Sequence, residues 1–184
     1  MKDVAAAVGV RAPSLYERFS DRAALLAAIE LEVLDEIAQV LAAVAVPGLP
    51  IETLTAQAHA YRQFVKANPH GYSLLFEVRS ARTEEGAAAR ARALAPSMSA
   101  LEAIVGPESA MLAARVFAPY LHGFVSMEIA DAFRLGGGLE AAFANGVATI
   151  LRGFLKIDSP RGHHARPDPS RRSRRSKGGR KGNI

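Results

Sequence analysis

"VGVRAPSLYERF", residues Val8–Phe19, lies between "VAAA" at Val4–Ala7 and "SDRAALL" at Ser20–Leu26. The pattern is two short helices joined at a glycine. Lys2–Ala7 forms the first, with Val4, Ala5 and Val8 turned inward. Ala5 is small where two helices cross, and Gly9 supplies the positive φ of a tight turn. Val10 plugs the turn, and Pro13 sits in the first turn of the second helix, where its missing N–H costs nothing. Leu15 and Phe19 share one helix face and hold it to the core. Arg11, Ser14, Tyr16, Glu17 and Arg18 are left on the outer face. In a recognition helix the N-terminal residues reach base edges, while hydroxyls and cations take phosphates. Arg22 is placed for a phosphate held jointly by a cation and a helix N-terminus. Helix, glycine turn and helix also occur as plain scaffolding, so spacing by itself leaves both uses open.

Downstream the apolar positions keep helical spacing. Leu25/Leu26, Ile29, Val33, Ile37, Val40/Leu41 and Val44 predict a long helix, started by Ser20-Asp21 and stopped by "VPGLP" at Val46–Pro50. A second runs from Ile51, with Leu54, Ala58, Tyr61 and Val65 on one face and Phe64 beside them. It ends at Asn68-Pro69, since a proline pushes the preceding residue out of the α region. "GYSLLFEVR" is a short helix expected to bury Tyr72, Leu75 and Phe76. Thr83–Val105 is an Ala-rich helix, with Leu94, Met98, Leu101 and Val105 in register and Pro96 kinking or dividing it. A long helix from Ala110 to about Leu135 bends at Pro119, and a last one runs from Leu139 to Lys156.

Those last two helices are apolar over more of their circumference than one core-facing stripe requires. They can lie at the centre of a monomer or complete their burial against a second copy, and the second reading is preferred. The expected homodimer interface comprises Gly123, Met127, Phe143, Gly146, Ile150 and Gly153, the glycines allowing close approach.

Composition agrees with an all-α chain. Of 184 residues, 49% are hydrophobic, enough for one good-sized core. There is no cysteine, which excludes disulfides and thiolate metal sites. The N-terminus lacks a signal-peptide pattern, and no apolar run reaches the ~18 residues of a membrane span. A soluble cytoplasmic protein without a membrane partner is expected. The net charge of +5 divides unevenly. Residues 158–184 hold nine Lys/Arg against two Asp, a net +7, which leaves the body at −2. Rich in Pro, Gly and Ser, that tail is expected to be disordered, and it serves either as a non-specific DNA arm or as a solvated extension.

His59, His70 and His122 fall on separate segments without ligand spacing, so no metal site and no cofactor is expected. His122 and Ser126 lie four apart on one helix but lack a carboxylate partner and an elbow turn, and enzyme activity is not expected. His122 is read as a packed residue bonding a backbone carbonyl or a bound ligand. Tyr61, Phe64, Phe76, Phe117 and Tyr120 are core residues first, some of which line a cavity with it, because ligand pockets are largely apolar with a few polar tips.

The order of residues is more specific than the spacing. "VAAAVGVRAPSLYERFSDRAALLAAI" (Val4–Ile29) closely resembles the DNA-binding segment of the tetracycline-repressor family of transcription regulators, with Ala5, Gly9, Val10, Leu15, Tyr16, Phe19 and Arg22 in the matching places. "YRQFVKANPHGYSLLFE" (Tyr61–Glu77) and "LHGFVSME" (Leu121–Glu128) resemble segments of the C-terminal subtype named for a Trp-His-Gly motif, with Leu121 standing for the tryptophan. The resemblance implies a helix-turn-helix DNA-binding region over 1–24, a ligand-binding and dimerisation domain of about six helices over 25–157, and the tail over 158–184. It also implies a homodimer with a small-molecule pocket in each subunit, whose filling lowers affinity for double-stranded operator DNA. Arg11, Pro13, Ser14, Tyr16, Glu17, Arg18 and Arg22 would face the DNA. The family places a further helix before the motif, and Met1 stands where the motif's own first helix begins. The expectation is therefore an N-terminal truncation that weakens DNA binding. Two rivals remain at this point: a small-molecule-binding helical dimer that no longer reads DNA, and a sequence-indifferent nucleic-acid binder acting through the tail.

Overall fold

The computed structural model describes residues 1–77 and 83–156. The expected tail and the end of "GYSLLFEVR" lie outside the described residues. Within them the chain is all-α: α1 (Lys2–Ala7), α2 (Ala12–Arg18), α3 (Arg22–Ala43), α4 (Pro50–Ala67), α5 (Pro69–Glu77), α6 (Glu84–Val105), α7 (Pro107–Ile129) and α8 (Leu139–Phe154).

The α1–α2 turn forms where the glycine predicts it. Gly9 takes φ +71°, Val10 N–H bonds the Ala5 carbonyl at 2.9 Å, and Gly9 N–H bonds that of Ala6 at 3.3 Å. These are the two bonds of a Schellman C-cap, which satisfies carbonyls the helix end leaves open. Pro13 lies in the first turn of α2, and Asp21 caps α3 by accepting from Ala24 N–H at 2.8 Å.

The two short helices are less embedded than the pattern suggests. Ala5 is buried, but Val4 and Val8, expected to face inward, are 41% and 61% exposed. The reason is placement. Among the described residues α1 and α2 pack on each other and touch the remaining helices little, so these valines meet no wall.

The core forms where α3, α4, α6 and α7 meet, with α5 against α3 and α8 against α4 and α7. Val33, Leu34, Ile37 and Leu41 of α3 meet Leu54, Ala58 and Val65 of α4, with Leu101, Phe117 and Val125 closing the other side. Each such side chain stabilises by roughly 1.5–3 kcal/mol on burial. Ala89, Ala93 and Ala100 make α6 thin enough to sit centrally. Of the kink or division expected at Pro96, the division does not occur: α6 runs unbroken through it. Leu94, expected in the core register, is 46% exposed.

α7 stops at Ile129, short of the expected Leu135. Asp131 takes φ +50°, and Asp131 and Ala132 N–H return to the carbonyls of Glu128 and Met127 at 3.1 and 2.9 Å. This is again a Schellman cap, with aspartate, whose short side chain tolerates the left-handed region, in the glycine's place.

Candidate functional site

A cavity of about 410 Å³ lies inside the bundle, walled by α3, α4, α5, α6 and α7. Its volume is in the range of small-molecule sites. Leu34, Ile37 and Leu41 of α3 form one wall, and Phe117, Pro119 and Leu121 of α7 another. Of the six expected pocket residues, Tyr61, Phe76, Phe117 and His122 line it. Phe64 is packed against the core outside the lining, and Tyr120 turns to α8, donating its hydroxyl to the Phe143 carbonyl at 3.1 Å. Phe76 is 59% exposed rather than buried, because it sits at the mouth with its ring stacked on that of His122, centroids 4.0 Å apart.

The polar lining is sparse and internally bonded. Tyr61 and Tyr72 share a hydroxyl–hydroxyl bond of 2.7 Å, and the Tyr72 hydroxyl meets His122 Nδ1, with Ser126 Oγ 3.4 Å from the same nitrogen. Burial raises both tyrosine pKa values, Tyr61 further through its proximity to Tyr72, and burial lowers that of His122. All three are neutral at physiological pH. Sequence reasoning missed three polar members of the lining, Gln57, Ser97 and Arg90. Gln57, 1% exposed, donates to the Leu41 carbonyl at 3.0 Å and accepts from Ser97 Oγ at 2.8 Å. Arg90 pairs with the fully buried Glu30 and donates to the Leu75 carbonyl at 3.0 Å. The signal was available: Gln57 and Glu30 each sit on the apolar stripe of their own helix, where a polar residue needs a partner.

A second polar cluster ties three helices together outside the cavity. Arg62 on α4, 6% exposed, grips Glu128 of α7 bidentately at 2.7 and 2.9 Å and also bonds Glu140 of α8. Lys66 adds a bond to Glu128 at 2.7 Å. The guanidinium lies 4.8 Å from the Phe143 ring centre, a cation–π contact. The Arg62 bonds hold the Glu128 carboxyl at a pKa of about 2.

The expected DNA-facing residues Arg11, Pro13, Ser14, Tyr16, Glu17, Arg18 and Arg22 are all exposed, grouped on α2 and the N-terminus of α3. The expected interface set divides. Met127 is exposed, Gly123 and Gly153 have open space where a side chain would stand, and Ile150 is half-buried. Phe143 is instead fully buried within the single chain, stacked with Tyr120 and edge-on to Phe124. Gly146 faces the Tyr120 ring, which occupies the space its Cβ would need. Periodicity cannot tell an inner close approach from an outer one, so the sequence pattern alone places both at the interface. No helix of the described residues is long and apolar enough to cross a membrane.

An all-helical bundle around an apolar cavity, with an exposed helix–glycine turn–helix at its head, defines the class. The model of the tetracyclin repressor-like C-terminal domain matches residues 54–150, more than half of the chain, and the chain belongs to that family. A solved structure of a protein with unknown function from Rhodococcus sp. RHA1 superposes with a TM-score of 0.70 over 83% of this chain and 82% of that one. At 20% identity this likeness speaks for the fold alone. No curated protein matches the chain.

Proposed function

We propose that this protein is a ligand-responsive, DNA-binding transcriptional regulator that acts as a repressor and leaves its operator when a small molecule fills the cavity. One observation carries the reading: α3 belongs to both ends of the molecule. Its first residue, Arg22, stands beside the exposed helix pair, and Leu34, Ile37 and Leu41 further along are cavity wall. A ligand that favours one position of α3 therefore shifts the helix pair with it, a population shift between two states. Two subunits joined along the outer faces of α7 and α8 would present two recognition helices. Spaced about 34–36 Å apart, these enter successive major grooves. Exposed Leu112, Val116 and Met127 make an apolar stripe on α7 for that contact.

A second reading, a ligand-binding dimer that does not read DNA, is favoured by the thin packing of α1 and α2 and the exposure of Val4 and Val8. Selection from random-sequence duplexes by the purified protein separates the two. Recovery of a two-fold symmetric consensus, retained at physiological salt, supports the regulator. Retention that is weak and indifferent to sequence supports the second reading.

A further inference from the structure

The hydrogen-bonding capacity left over in the cavity is one-sided. Gln57 Oε1 already accepts from Ser97, and only one N–H of its amide is spent, on Leu41. Arg90 spends one nitrogen on Glu30 and Leu75 and keeps further N–H groups, while its Nε and the Oε2 of Glu30, which does not line the cavity, are buried with no partner among the described residues. At His122 the hydroxyls of Tyr72 and Ser126 converge on Nδ1. In the tautomer that accepts these hydroxyls at Nδ1 the proton sits on Nε2, and that nitrogen is then a donor. Among the described lining residues, what Gln57 and Arg90 leave free is therefore N–H.

The charge is balanced as well. Arg90 is the one charged side chain among the described cavity-lining residues, and the Glu30 carboxylate neutralises it. Burial keeps His122 unprotonated, and the surrounding Tyr61, Tyr72, Ser126 and Phe76 bring no charge to it. An anion entering would meet Glu30 behind Arg90. A cation would meet Arg90 itself. Either would give up its hydration without a counter-charge of its own.

We infer that the cavity takes an uncharged, largely apolar molecule bearing a carbonyl-type acceptor oxygen, as esters and ketones do, with that oxygen held by His122 and Arg90. The rest of such a molecule lies along α6, whose lining residues run from Arg90 to Leu101, about 16 Å at 1.5 Å per residue. The inference rests on the cavity being a ligand site, as proposed above, and adds the ligand's chemistry.

The test uses the full chain and three probes that differ only in the head group: methyl decanoate, decanoate and decylammonium. Each is titrated against Nile red bound to the protein at neutral pH. Methyl decanoate is expected to displace the dye at least about tenfold more tightly than either ion, the penalty of burying an unpaired charge. Equal or tighter binding of decanoate or decylammonium overturns the inference, and so does failure of all three to displace the dye. Glu30→Gln, which keeps the shape and the bond to Arg90, leaves the guanidinium uncompensated and should raise decanoate affinity about tenfold. His122→Phe, which keeps a ring against Phe76, should weaken methyl decanoate about five- to tenfold, the worth of one hydrogen bond. Unmoved affinities in both variants remove His122 and Arg90 from the site. Tight ester binding that leaves DNA retention unchanged removes the regulator reading and keeps this inference. Tighter binding of decanoate with release of DNA does the reverse.

Discussion

Gly146 has no side chain because Tyr120 occupies its place: the phenol ring of α7 lies against α8 where a Cβ at 146 would stand. The tyrosine hydroxyl then reaches the Phe143 carbonyl one turn back, and its ring stacks on that of Phe143. This glycine sets how closely α7 and α8 approach. Gly146→Ala should therefore destabilise by about 1–3 kcal/mol through overpacking, only partly offset by alanine's better helix propensity. Urea unfolding checks it, and an equal or higher midpoint would show that Tyr120 swings away at no cost.

The Arg62 cluster is expected to behave as a clamp. Arg62→Ala leaves Glu128 nearly buried, with Lys66 as its remaining partner, and removes the cation from the Phe143 face. Breaking one side of a buried pair costs about 3–5 kcal/mol. The same urea titration should show a loss of that order, and one under about 1 kcal/mol would reclassify the cluster as a surface ion pair.

Two titrations should appear at separate places in the dependence of melting temperature on pH. Glu128 is depressed from 4.5 to about 2 by Arg62, so its contribution is full above 4.5 and is lost as pH falls toward 2. His122 is depressed below 6.5 by burial, so the folded state holds fewer protons than the unfolded one just below that pH. Its contribution is full above 6.5 and declines as pH falls through the folded value. His122→Phe should abolish the upper decline alone, and Arg62→Ala the lower. A melting temperature flat from pH 7 down to pH 5 would contradict the His122 assignment.

On the proposed DNA-facing side, Tyr16 is half exposed and no residue of α2 is buried, so Tyr16→Ala should leave the melting temperature unchanged. As a phosphate contact its loss should weaken binding by a similar factor on every duplex, and Arg22→Ala should lower the salt slope by about one. A Tyr16→Ala effect confined to one base position would make Tyr16 a base reader.

The helices, the glycine turn at Gly9 and four of the six cavity residues were legible because periodicity and turn chemistry are local. Depth was not. Val4 and Val8 fit an inward pattern, but no helix of the described residues covers them; Phe143 and Gly146 fit an outward one, but Tyr120 covers them. The end of α7 was hidden because an aspartate, Asp131, does the turning that glycine usually does. Gln57, Glu30 and Arg62 carry the cavity's polarity and the clamp. Each is a polar residue set into an apolar stripe, and its partner comes from a distant helix that no local pattern can name.

The central claim is that filling the cavity moves α3 and with it the grip on DNA. Fluorescence anisotropy of the selected duplex, at one fixed salt concentration, measures this directly with the protein empty and then saturated with methyl decanoate. The account predicts that saturation weakens DNA binding by about 5- to 150-fold, and that saturating DNA weakens the ester by the same factor. Identical DNA affinity with the cavity empty and with the ester demonstrably bound would contradict it.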